Sequence, residues 1–121
     1  MNRVLRFDFQ VPNPEKAIEF YSNSFGWKFE KIPGPQDYWF ITSGEKDSPG
    51  IDGGLMKSPD GASRTTNSIE VPSVEEYMKK VEENGGKIVV PKTAIAGMGY
   101  IAYCLDTQGL LFGLSEVNPN V

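Results

Sequence analysis

The chain contains no histidine. Histidine is the usual proton carrier near neutral pH and the commonest transition-metal ligand. Any chemistry therefore falls to Asp, Glu, Lys, Tyr, Arg or the single cysteine, Cys104. One cysteine cannot form an internal disulfide, which predicts a reducing, cytoplasmic setting. Basic charge is also scarce: 12 Lys and Arg stand against 16 Asp and Glu, for a net charge of −4. A nucleic-acid backbone wants a basic patch, so nucleic acid is not an expected partner. No apolar run approaches the roughly 20 residues that span a bilayer, so no membrane partner is expected. The start, MNRVLRFDFQ, lacks the apolar stretch and small-residue cleavage site of a signal peptide.

What is present suits one domain over residues 1–121. Hydrophobic residues make up 39% and aromatics 12%, enough for a real core. From Arg6 to Val11 polar and apolar residues alternate, the period of a half-buried strand. Phe7, Phe9 and Val11 fall on one face, Arg6, Asp8 and Gln10 on the other. Asn13 as N-cap and Pro14 at the first position predict a helix with Ala17, Ile18, Tyr21 and Phe25 on its apolar face, stopped at Gly26. Residues 27–32, 38–42 and 51–56 read as strands, with PGPQD at 33–37 as a turn. A linker at 58–63 separates this half from the next.

The pattern then recurs. A strand at 67–71 leads to a capping box in Ser73-Val74-Glu75-Glu76 and a helix with Val74, Tyr77, Met78 and Val81 on its apolar face. Gly85-Gly86 ends it, and strands follow at 87–90, 100–105 and 110–115. At an offset of sixty, Val11-Pro12 falls on Val71-Pro72, Glu15 on Glu75, Gly26 on Gly86, Ile41 on Ile101 and Gly53 on Gly113. A repeat of 1–60 in 61–121 is the economical reading.

Three stretches carry a family resemblance. Residues 11–21 with Phe25-Gly26-Trp27 form the first. Asn84-Gly85-Gly86-Lys87 with Pro91-Lys92 forms the second. Gly97-Met98-Gly99-Tyr100 with Asp106-Thr107-Gln108-Gly109 forms the third. In that order and spacing the chain resembles the vicinal oxygen chelate superfamily, which includes glyoxalase I, bleomycin-resistance proteins, fosfomycin-resistance enzymes and extradiol dioxygenases. The similarity is greatest to short glyoxalase-like proteins of unassigned substrate. The resemblance implies an α+β fold of two βαβββ modules forming a curled mixed sheet around a cup, and a homodimer. It also implies metal-ligand positions at Arg6, Gly53, Thr66 and Gly113. None brings an imidazole, carboxylate or thiolate, so the expectation is no metal and no other cofactor. A slip of one or two residues would bring in Asp8, Asp52 or Glu70, and Glu116 is a further carboxylate.

If both polar strand faces line the cup, the expected ligand-binding residues are Arg6, Asp8, Ser68, Glu70, Tyr38, Phe40 and Tyr100. Arg6 offers a planar fork for a carboxylate or phosphate. Asp8 or Glu70 offers a base if desolvated. The bland alternative is an Arg6–Asp8 or Arg6–Glu70 pair that only closes the cup. The acidic balance favours a cationic ligand and Arg6 an anionic one. Gly53-Gly54 and Gly97-x-Gly99 open no helix, so neither is a phosphate loop. Cys104 sits in an apolar strand and reads as an inert thiol. Three functions stay open: a small-molecule binder with a metal-free cup, a glyoxalase-type lyase or isomerase, and a structural or regulatory domain that has lost its site.

Overall fold

Ten elements run along the chain: β1 (Arg3–Val11), α1 (Pro14–Phe25), β2 (Lys28–Lys31), β3 (Tyr38–Thr42), β4 (Asp52–Lys57), β5 (Arg64–Glu70), α2 (Val74–Glu83), β6 (Lys87–Ile95), β7 (Gly99–Leu105) and β8 (Leu111–Val117). They are taken from a computed structural model that describes residues 1–35 and 37–121. Gln36, within the expected turn at 33–37, lies outside the described residues. The chain packs as two units, one of Arg6–Thr65 and one of Met1–Leu5 with Thr66–Val121. Among the described residues no helix is long and apolar enough to cross a membrane.

In the first unit β2 pairs antiparallel with β3, β3 antiparallel with β4, and β4 parallel with β1. The alternation in β1 sorts its side chains as expected. Phe7 and Phe9 meet Tyr21 of α1 and Trp27, with Phe9 5.3 Å from Tyr21 and Phe7 5.9 Å from Trp27 between ring centroids. Ile41 and Leu55 are fully buried on this side. Asn13 Oδ1 accepts from Lys16 N at 3.2 Å, and Gly26 ends α1 with φ 72°. Phe25 departs from expectation. As the last residue of α1 it leans on Tyr21 and Trp27 yet stays exposed.

In the second unit β5 pairs parallel with β8, β8 antiparallel with β7, and β7 antiparallel with β6. Val71, Val74, Ala102, Cys104 and Leu114 form the core under α2, joined by Ile69, Tyr77, Met78 and Val81. Cys104 is fully enclosed, and burial pushes its thiol up to about 11, which keeps it protonated and unreactive. Ser73 caps α2 through Glu76 N at 3.2 Å. A second cap comes from far away, where Glu116 Oε1 accepts from Val74 N at 2.9 Å. β6 runs on to Ile95 through Pro91, past the expected end at Val90. It stands last in its unit's strand order, and its register shifts around Val90. An edge strand tolerates proline because the missing N–H faces no partner.

Pairing corrects two of the repeat coincidences. Asp8 lies beside Gly54, whereas Ser68 lies beside Gly113. Gly113 therefore matches Gly54, not Gly53. Ile41 pairs with Gly53 and Ile101 with Ser115, which puts them on opposite kinds of face. A one-residue difference in strand register turns every side chain over.

Candidate functional site

The polar face of the first unit is built on β1, β3 and β4. Residues facing one another across paired strands share a face, so Asp8, Gly54 and Phe40 fall together. Tyr38 joins them, two residues from Phe40 on β3. Its hydroxyl accepts from Arg6 Nη2 at 2.7 Å and donates to Asp8 Oδ1 at 3.2 Å. Arg6 Cζ stands 5.2 Å from the centroid of the Phe40 ring, within cation–π range. Tyr38 and Asp8 are 2% and 3% exposed, while Arg6 and Phe40 are half-buried. Burial first, and the Asp8 carboxylate second, raise the Tyr38 phenol far above its ordinary value, with Arg6 partly offsetting them. The hydroxyl stays protonated and donates.

This geometry separates Arg6 from Asp8. Among the described residues Arg6 forms no direct ion pair, and the phenol stands between the two charges. Asp52, beside Arg6 in register, turns its Oδ1 to Ser43, accepting from the backbone N at 2.9 Å and from Oγ at 3.3 Å. A hollow of about 260 Å³ opens there, lined by Thr42, Ser43, Lys46 and Asp52 among others. Further along the same face Arg64 is already engaged. It donates to Gln10 Oε1 at 2.7 Å and pairs with Asp60. Arg64, then Ser58 and Ala62, hold the Asp60 carboxyl well below the usual carboxylate range.

Arg6, Asp8, Tyr38 and Phe40 are thus brought together, and the other three expected ligand-binding residues lie in the second unit. Ser68 is buried, near Gly113 and Tyr103. Glu70 is half-buried, and its backbone carbonyl accepts from Asn2 N at 2.7 Å. Tyr100 packs against the core under α2, with Lys92 Nζ 4.2 Å from its ring centroid. Tyr103, three residues on, takes the Ser68 face because it pairs with Gly113. Sequence reasoning named Gly54 only as half of a glycine pair that is no phosphate loop, and did not place it at the site. A Cβ there would fall 1.9 Å from the Tyr38 hydroxyl oxygen and 2.7 Å from Asp8 Oδ1.

The residues present do not fit a divalent metal. Gly53 faces the helix side, where a Cβ would strike Phe7, so Gly54 stands on the polar face in its place. The four implied positions then offer a guanidinium, one hydroxyl and two bare glycines, none of which suits such an ion. Of the carboxylates that a slip would bring in, Asp8 and Asp52 are engaged, and so is the further carboxylate Glu116. Among the described residues no three of His, Cys, Asp and Glu gather as a metal needs.

Thr66 is 3% exposed, and its Oγ1 has no hydrogen-bond partner among the described residues. A buried hydroxyl without a partner costs free energy. Thr66→Val keeps the shape and is expected to stabilise the protein by about 1 kcal/mol in urea denaturation. A loss of stability would mean that the hydroxyl has a partner in solution.

The model of the Glyoxalase/Bleomycin resistance protein/Dioxygenase superfamily matches residues 3–114. A curated relative, "Putative glyoxylase CFP32" of Mycobacterium bovis and Mycobacterium tuberculosis, is 26% identical over 118 residues, covering 94% of this chain and 45% of its own. The chain thus spans less than half the length of the curated relatives it matches. Methylmalonyl-CoA epimerase from Mycobacterium tuberculosis superposes with a TM-score of 0.69 at 14% identity, over 94% of this chain and 87% of that one. A Streptomyces coelicolor methylmalonyl-CoA epimerase in complex with 2-nitronate-propionyl-CoA gives 0.70 at 12%, over 97% and 95%. Likenesses this distant establish the fold, α+β with two βαβββ modules, and leave activity with those proteins.

Proposed function

Since the chain belongs to the Glyoxalase/Bleomycin resistance protein/Dioxygenase superfamily, we propose that it binds a small molecule, without metal and without turnover, on the polar face of β1, β3 and β4. One observation carries this reading: a half-buried arginine is held in place by a buried neutral hydroxyl and an aromatic ring. Such a group is oriented before any ligand arrives, and that lowers the ordering cost of binding.

The lyase or isomerase reading with Asp8 as base is disfavoured by the bonds Asp8 makes. Its carboxylate is buried and takes the Tyr38 hydroxyl, so it is neither free nor open to a substrate carbon. The structural-domain reading leaves a preset Arg6 unexplained. The same proposal includes a single domain of two duplicated modules and a cytoplasmic homodimer. Exposed Val4, Leu5 and Val117 supply apolar surface for such a dimer, and sedimentation velocity reads the oligomer directly.

The test is a panel of small carboxylates, ammonium compounds and neutral molecules, followed by amide chemical shifts of the ¹⁵N-labelled protein. At least one class is expected to produce saturable shifts centred on Arg6, Tyr38 and Phe40. Shifts absent for every class would leave the structural-domain reading in possession.

A further inference from the structure

We propose that the ligand of this site is an anion of the carboxylate class, gripped by the edge of the Arg6 guanidinium. The inference rests on the small-molecule reading above and adds the charge and the chemistry of the ligand.

Two arginines belong to the polar face of this unit, and they differ in how their charge is met. Arg64 has Asp60 as counterion and Gln10 as a further acceptor. Arg6 has one hydrogen-bond acceptor among the described residues, the Tyr38 hydroxyl, which is neutral. Two carboxylates lie near it, Asp8 two residues along β1 and Asp52 opposite it in register, and each accepts from another donor: Asp8 from Tyr38 and Asp52 from Ser43. A half-buried cation normally gains a counterion or loses favourable solvation. Among the described residues no other acceptor takes the remaining N–H groups of Arg6.

The rest of the site fixes how those groups are presented. The Phe40 ring supports the guanidinium, and Tyr38 ties down one of its nitrogens. The remaining donors form a planar fork, which matches the two oxygens of a carboxylate. Net charge runs the other way, at −4 for the chain. That field is screened beyond a Debye length of about 8 Å at physiological salt, whereas a bidentate contact acts at hydrogen-bond distance. The Arg6 fork therefore outweighs the distant acidic surface, and the nearby Asp8 carboxylate is turned to the Tyr38 hydroxyl rather than to the fork.

The test titrates the ¹⁵N-labelled protein with benzoate, inorganic phosphate and benzylammonium at matched ionic strength. Benzoate is expected to give saturable shifts around Arg6 and Phe40 that weaken as NaCl is raised. Arg6→Gln is expected to weaken benzoate by about tenfold or more. Arg6→Lys keeps the charge without the fork and should lose most of the same affinity. Arg64→Gln should leave it unchanged. Saturation by benzylammonium but not benzoate overturns the anion class while the small-molecule reading stands. Preference for phosphate overturns the carboxylate assignment, as does benzoate binding equally to wild type and Arg6→Gln. If the wider panel also fails, the small-molecule reading falls and this inference with it. Comparing benzoate with benzylammonium on the wild-type chain decides the charge even if Arg6 variants fold poorly.

Discussion

Gly54→Ala is expected to collapse the Arg6–Tyr38–Asp8 arrangement and to cost about 3 kcal/mol of stability. The added methyl would lie 1.9 Å from the Tyr38 oxygen and 2.4 Å from its Cζ. Tyr38 cannot simply swing aside, because it is buried and bonded at its tip to both Arg6 and Asp8. If the ring moves, Arg6 loses the Tyr38 acceptor and Asp8 loses the Tyr38 donor. If β4 moves, its pairing with β1 and β3 loosens instead. Urea denaturation reads the stability and benzoate titration reads the site, and both should fall. Adding Tyr38→Phe removes the nearest clash but leaves the ring carbon at 2.4 Å, so recovery should be partial. Gly53→Ala separates the two effects. Its methyl would meet the Phe7 carbonyl oxygen at 2.4 Å, on the helix side, so its damage should begin in packing rather than at Arg6. A Gly54→Ala protein with wild-type stability and binding would remove Tyr38 from the site as described.

The contrast between these two glycines shows where sequence reading stops. Alternation in β1 exposed its own two faces, because Phe7 and Phe9 are apolar while Arg6, Asp8 and Gln10 are not. Caps were equally legible at Asn13 and Ser73, since a side-chain oxygen just before an apolar-periodic run has few other uses. Two adjacent glycines carry no side chain to mark a face, so the register of β4 stayed hidden until its pairing with Asp8 was known. β7 failed for the opposite reason. Its interior residues Ile101 to Cys104 are all buried, and a strand covered on both sides loses its alternation. Tyr100 and Tyr103 then look equally suited to a ligand, although only Tyr103 shares a face with Ser68. The Glu116 cap on α2 joins residues 42 positions apart, and no local pattern announces a contact of that range. Arg6 was visible as a candidate from the start. The role proposed for it rests on the bonds that Asp8, Asp52 and Asp60 make to other donors, which only the folded chain displays.

The second large effect is expected at Gly99, where Ala should cost about 3–5 kcal/mol. Gly99 opens β7 with φ 144°, a conformation that L residues rarely adopt. A Cβ there would lie 1.8 Å from the Glu116 carbonyl oxygen and 2.8 Å from Asn118 N. Both are backbone atoms, one near the end of β8 and one just past it, so no rotamer change relieves the contact. The β7–β8 ladder must open at its Gly99–Val117 rung. Moving the backbone of Glu116 also withdraws the carboxylate that caps Val74 N, so strain at one strand end reaches the start of α2. Gly97→Ala is the matched control two residues away. Its φ of 75° is also unfavourable for Ala, but nothing lies within 4 Å of the added methyl, so only about 1–2 kcal/mol is expected. Thermal and urea denaturation of the pair should therefore separate clearly. Hydrogen exchange should show lost protection at the first turn of α2 in Gly99→Ala but not in Gly97→Ala. Equal losses in the two variants would mean that backbone conformation alone sets the cost, and that the close approach of β7 to β8 relaxes freely.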